Sequence, residues 1–158
     1  MLRDYEHWGP KVRALMANVQ SPDIWALFNH PPASTYYLTE PLLCLVGDAA
    51  HASTPHQGAG AGMCVEDAYI LSQVLSKCQS AEELKVAFQA YDAVRRPRSQ
   101  KLVKTSREAG MLWDFEAEGV GDDLEALKRN ATTRMSWIWD HDIGLDLQAA
   151  QEILTRAQ

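Results

Sequence analysis

The stretch that most constrains this chain runs from Leu42 to Gly62. Leu42–Val46 is an apolar run without polar alternation, the pattern of a strand buried on both faces. It ends in Gly47-Asp48. A loop of small residues and two histidines follows, and Gly58, Gly60 and Gly62 alternate with alanines just before a helical pattern begins. Buried strand, acidic tip, glycine loop and helix start are how open α/β sheets place a ligand at the carboxyl end of a strand. Such a strand needs neighbours on both sides. Only Tyr36–Leu38 and Ile24–Phe28 offer themselves as further strands. The chain therefore reads as mostly α with a few strands, and as a piece of something larger.

Elsewhere the periodicity is helical. Pro10 suits the first position of a helix over 10–19, with Val12, Leu15, Met16 and Val19 on one face. From Gly60 to about Ser76, Met63, Ile70, Leu71, Val74 and Leu75 recur at helical spacing. Ser80-Ala-Glu-Glu83 is a capping box, and Leu84, Ala87, Phe88, Tyr91 and Val94 give the next helix its inner face. Pro97 is expected to kink or end that helix near Arg96, with a further helical stretch from Ser99 to Trp113. Residues 114–121 read as a loop. Asp122 or Asp123 is expected to cap a helix that Gly144 ends, and Asp146 to cap a last short one.

The 158 residues are enough for one domain with a real core. A formal net charge of -6 argues against nucleic acid and anionic membrane as main partners, since both demand a basic surface. No apolar run approaches the roughly 20 residues of a membrane helix, and Arg3, Asp4 and Glu6 interrupt any leader-like core. Three cysteines with no close pair read as packed or idle thiols in a reducing, cytoplasmic setting.

Asp48 is an acceptor suited to a sugar-type hydroxyl, or simply a cap for the turn that follows. The glycine-alanine run lets a flat or phosphorylated ligand touch backbone, and the helix start offers unpaired amides. A tight turn with close helix packing gives the same residues. As a dinucleotide fingerprint the run fails, because the third glycine would have to fall at Met63. Asp48, His51 and His56 are ligand types of a non-haem iron site, but no spacing puts them on one face, so no metal is expected. Ser53 and Thr54 lack a nucleophile elbow. Arg95, Arg96 and Arg98 read as a solvated helix end or as salt bridges to neighbouring carboxylates. Trp113, Trp137 and Trp139 read as core, or as the lining of an aromatic pocket.

Taken together, Leu45-Val-Gly-Asp-Ala-Ala-His51, Pro55, Gly58-Ala-Gly60 and Glu66-Asp67-Ala68 resemble the second FAD motif of the FAD-dependent aromatic hydroxylases, the group A flavoprotein monooxygenases. His30-Pro-Pro32, His56-Gln-Gly-Ala-Gly-Ala-Gly62 and Tyr91-x-x-x-Arg95-Arg-Pro-Arg98 are most similar to their salicylate hydroxylase-like branch. The resemblance implies the C-terminal part of an α/β FAD-binding fold of GR2-type, Rossmann-like architecture, without the N-terminal βαβ unit and its GxGxxG turn. Residues 1–41 would be a remnant of the substrate domain, and 42–158 the C-terminal part of the FAD-binding domain with a helical tail. It implies FAD as cofactor, NAD(P)H as reductant and hydroxylation of an aromatic small-molecule substrate with O2.

By the same resemblance Gly47, Asp48, Pro55, Gly58, Ala59, Gly60, Ala61, Gly62 and Met63 would hold FAD. Asp48 would bond the ribityl chain. Pro55, His56 and Gln57 would form the loop at the flavin ring, with no single catalytic residue assigned. The expected partner is a missing N-terminal FAD-binding half or a second copy of the chain. The alternative is a truncated non-redox relative, a binding or scaffold module or a non-redox cyclase, without bound FAD.

Overall fold

A computed structural model describes residues 2–21, 23 and 25–157. A 3-10 turn at Leu2–Tyr5 precedes helix α1 (Pro10–Ala17), and neither has a buried residue. Strands β1 (Tyr37–Thr39) and β2 (Leu42–Cys44) form a hairpin. Then come α2 (Asp48–His51), a 3-10 turn at Pro55–Gln57, α3 (Gly60–Leu75), α4 (Ala81–Trp113), α5 (Leu124–Thr133), α6 (Ser136–Trp139) and α7 (Ile143–Arg156).

The body is α3, α4 and α7 packed together. Ile70 and Val74 of α3, Ala87, Ala90 and Tyr91 of α4, and Ala150 of α7 are all fully buried in one cluster. Three of those six are alanine, so the backbones of α4 and α7 approach closely. Polar bonds then fasten the hairpin to α4. The buried Tyr36 amide donates to Asp92 Oδ1 at 2.7 Å, its hydroxyl lies 2.8 Å from Ser99 Oγ, and the Tyr91 hydroxyl donates to Leu45 O at 3.2 Å.

Several expectations need correction. Helix α4 runs unbroken for 33 residues through Pro97. Pro97 and Ala93, whose carbonyl the proline leaves unbonded, are both exposed, so water can serve that oxygen. Leu42–Val46 is not buried on both faces. β2 pairs antiparallel with β1 (Leu38 opposite Leu43), and Leu42 and Leu43 are 39% and 42% exposed, because the hairpin supplies only one neighbour. Residues 25–28 form no strand, and Trp25 and Phe28 are each 81% exposed; Ile24 lies outside the described residues. Finally, Asp142, not Asp146, caps α7, its side chain accepting from the Gly144 amide. The helix expected to reach Gly144 breaks after Thr133, where the Arg134 guanidinium turns to Asn130 Oδ1 and Thr105 O.

The Ser80 and Asp123 caps form as the sequence suggests. Trp113 and Trp139 are exposed rather than core, and Trp137 lies beneath the cations of Arg98 and Lys101.

Candidate functional site: the Gly47–Gly62 turn and loop

Gly47 links β2 to α2 with φ of +61°, a conformation that favours glycine. A Cβ there would stand 3.0 Å from Cys64 Sγ. The turn is pinned from beneath by Asp67, a fully buried residue of α3. One Asp67 oxygen accepts from the Gly47 amide at 3.1 Å and from the His51 ring, so a single carboxylate holds both ends of α2. Asp48 itself opens α2 and is exposed.

Asp67 is in turn held by Arg95, whose side chain is fully buried inside α4. Arg95 Nε donates to Asp67 Oδ1 at 2.9 Å, Nη1 to Asp146 Oδ2 at 3.1 Å, and Nη2 reaches Glu66 Oε2 at 2.7 Å and Met63 O at 3.5 Å. Arg98 grips Glu66 through two bonds of 2.8 Å, and His141 Nε2 lies 3.0 Å from Asp146 Oδ2. Of the two readings of these arginines, the salt bridges form: Arg95 and Arg98 are at the centre of a buried ion network, and Arg96, partly exposed, pairs with Asp92. Burial alone would raise the Asp67 and Glu66 carboxyls; the bonds from His51 and Arg95, and from Arg98, outweigh it and hold both below the usual range. Burial opposes the Arg95 charge, but Asp67 and Glu66 raise its pKa further.

The second half of the site is the loop from Ser53 to Ala59. Thr54 and Gln57 are buried, and α4 holds both by neutral groups. Ser106 Oγ donates to Thr54 O, and Thr105 Oγ1 donates to Gln57 Oε1 at 2.7 Å. His56 Nδ1 lies 3.0 Å from Thr54 Oγ1, and its ring packs on Gly110. A Cβ at Gly110 would sit 2.6 Å from that ring. Gly58, with φ of +62°, turns the chain into α3.

Helix α3 starts without a side-chain cap. The amides of Gly60, Ala61 and Gly62 are its unpaired first donors, with the partial positive charge of a helix N-terminus. Ala61 and Gly62 are exposed, and a Cβ on Gly62 or Gly58 would meet nothing within 4 Å. Met63 differs from its neighbours. Its amide donates to Ala59 O at 3.1 Å, and its side chain is buried against Arg95.

Gly47, Asp48 and the stretch from Pro55 to Gly62 are therefore brought together around two adjacent chain reversals. His51 and His56 diverge, one toward Asp67 and the other toward Thr54 and Gly110. Sequence reasoning about the site missed Asp146, Thr105, Ser106 and Gly110. Asp67 entered only through the family motifs, with no role, and Arg95 as one of three arginines open to salt bridges with partners unnamed. A glycine inside an otherwise regular helix pattern was the one available signal for Gly110.

An uncapped helix start beside an acidic turn, with small residues at its surface, suits a flat ligand bearing hydroxyls and an anionic edge. The sequence match agrees: residues 25–106 match the FAD binding domain family, and the chain belongs to it. FAD is the cofactor of that family, and the fold is that of the FAD-binding monooxygenases.

The chain is 41% identical over 152 residues to a salicylate hydroxylase of Pseudomonas putida, an alignment covering 96% of this chain and 35% of the relative. It is 37% identical over 140 residues to the 6-methylsalicylate 1-monooxygenase atA of Aspergillus terreus (strain NIH 2624 / FGSC A1156), covering 89% and 31%. A solved salicylate hydroxylase substrate complex superposes with a TM-score of 0.82 at 41% identity, covering 89% of this chain and 34% of the other. The chain spans about a third of the length of the curated relatives it matches. Among the described residues, no helix is long and apolar enough to cross a membrane.

Proposed function

We propose that this chain supplies the flavin-ring and ribityl side of the FAD site in a monooxygenase that hydroxylates an aromatic substrate. Residues 42–158 would belong to the FAD-binding domain and 1–41 to the substrate domain. The observation that carries this reading is the uncapped start of α3, set beside the braced Gly47-Asp48 turn and faced by small residues. When bound, FAD supplies redox chemistry, with electrons from NAD(P)H and oxygen from O2.

The residues present fit such a group. In this reading the exposed Asp48 carboxylate accepts hydrogen bonds from ribityl hydroxyls. The Gly60, Ala61 and Gly62 amides, at the positive end of α3, would hold the flavin and stabilise negative charge on it. Gly58, Gly60 and Gly62 let the ring approach backbone. Pro55, His56 and Gln57 wall the ring and keep water from it. Gly47, Ala59 and Met63 hold the shape from behind. The relatives named for salicylate and 6-methylsalicylate support a substrate ring that carries a carboxylate and a hydroxyl.

Flavin titration tests the reading. Quenching of FAD fluorescence by the purified protein should saturate and should be lost in Asp48→Ala. With the cofactor loaded, NAD(P)H oxidation should depend on a hydroxybenzoate. A protein that takes up no FAD, either alone or with the βαβ half of a homologous enzyme supplied in trans, overturns it.

A further inference from the structure

Asp146 lies on α7, roughly a hundred residues beyond the Gly47 turn, and is expected from sequence only as a helix cap. It does not cap. Its Oδ2 instead accepts from Arg95 Nη1 at 3.1 Å and lies 3.0 Å from His141 Nε2. From there the bonds are continuous: Arg95 Nε to Asp67 Oδ1 at 2.9 Å, then Asp67 Oδ2 to the Gly47 amide at 3.1 Å. The guanidinium also reaches back to Met63 O, in the first turn of α3.

We propose that Asp146 is a positioning residue for the cofactor turn, and that α7 acts through the Asp146–Arg95–Asp67–Gly47 chain to set the amides and carboxylate that face FAD. The inference rests on the FAD reading above. The guanidinium is planar, so its three carboxylate partners fix its rotation. Asp67 and Glu66 hold the Nε side and the Nη2 side. Asp146 is the partner on Nη1. Without it, a donor in a fully buried group is left unpaired, and the guanidinium must turn to find another acceptor. Any such turn moves Asp67 Oδ1. The other oxygen of that same carboxylate holds Gly47 and His51, so the start of α2 moves with it. Met63 O shifts by the same rotation, and with it the first turn of α3.

Asp146 is partly exposed at the edge of the network, so it can be altered with less loss of packing than Asp67 or Arg95. The test compares Asp146→Ala with Asp146→Asn, which keeps an oxygen acceptor there. Ala150→Gly loosens α7 at a fully buried position outside the network. Readouts are the Gly47 amide shift and hydrogen exchange by NMR, the melting temperature, and the Kd for FAD. D146A should speed Gly47 exchange, move its amide resonance and weaken FAD about tenfold. D146N should restore most of both. A150G should lower the melting temperature while leaving the Gly47 shift and the FAD Kd unchanged. A wild-type Gly47 amide in D146A, or an equal disturbance in A150G, overturns the proposal. If the wild-type protein binds no FAD, either alone or with the βαβ half supplied in trans, the functional reading falls, and the Gly47 amide still decides the brace.

Discussion

The Gly47–His51 turn and the Thr54–Gly58 loop are neighbours in sequence, and α4 fixes both, but by opposite means. The turn hangs on a buried ion network: Asp67, Arg95, Glu66, Asp146 and Arg98. The loop is held by hydroxyl groups and by the missing side chain of Gly110. A buried network is stiff only while every member is charged and paired, and it fails abruptly when one is lost. Neutral hydrogen bonds each hold less, and pH does not release them in the carboxylate range. One helix thus gives the turn and the loop of the site different vulnerabilities.

The largest way to break this contrast is Arg95→Met. It removes the shared cation and leaves Asp67 and Glu66 buried with fewer partners. A loss of about 3–5 kcal/mol is expected in urea unfolding. The Gly47 amide should lose protection before Thr54 and Gln57 do. Loss of both together would show that the two parts are one cooperative unit.

Acid does the same thing more gently. Asp67 and Glu66 carry folded-state pKa values below their usual ones. Their stabilisation is therefore fully present above their unfolded values, roughly pH 4, and disappears as pH falls through the lower folded values. A melting curve at each pH should show this decline in the wild type and a flatter one in Arg95→Met, where His51 remains but the second of the two bonds that depress Asp67 is gone.

The loop breaks by sterics instead. Gly110→Val should push the His56 ring aside and destabilise by about 1–3 kcal/mol, with displaced His56 ring resonances. Gly62→Ala sharpens the point with the opposite sign. Its Cβ meets nothing within 4 Å, so the helix should gain up to about 1 kcal/mol. The same methyl stands on the proposed flavin face and should weaken FAD binding.

How much of this could be read in the sequence follows the range of the interactions. Gly47-Asp48, the start of α3 and the Ser80 and Asp123 caps are local signals, and each forms where the residues imply. Arg95 is 28 residues from Asp67 and 51 from Asp146, and no local pattern announces such partners. A charge run beside a proline reads as a solvated helix end or as unassigned salt bridges until its carboxylates are placed. Pro97 misleads for a related reason: the disruption is real, but it falls on an exposed side of α4 where water can satisfy Ala93. The exposed Trp25, Phe28, Leu42 and Leu43 reverse the logic, being apolar residues with no cover among the described residues. In a chain spanning a third of its relatives, hydrophobicity still marks a surface for burial without saying what covers it.

The finest test of the contrast is Ser106→Ala. Ser106 is buried in α4, and its hydroxyl donates to the Thr54 carbonyl. Removing it deletes one neutral bond and almost no volume, so the expected loss is about 1 kcal/mol. Neither partner titrates, so the loss should be equal at neutral pH and in mild acid. The Asp146 variants should behave differently, since part of their effect vanishes once Asp67 and Glu66 are protonated. Amide exchange in Ser106→Ala should rise around Thr54 and stay unchanged at Gly47. A disturbance reaching Gly47 would mean that the Ala52–Ser53 connection transmits strain between the two parts, and that the charged and neutral braces act as one.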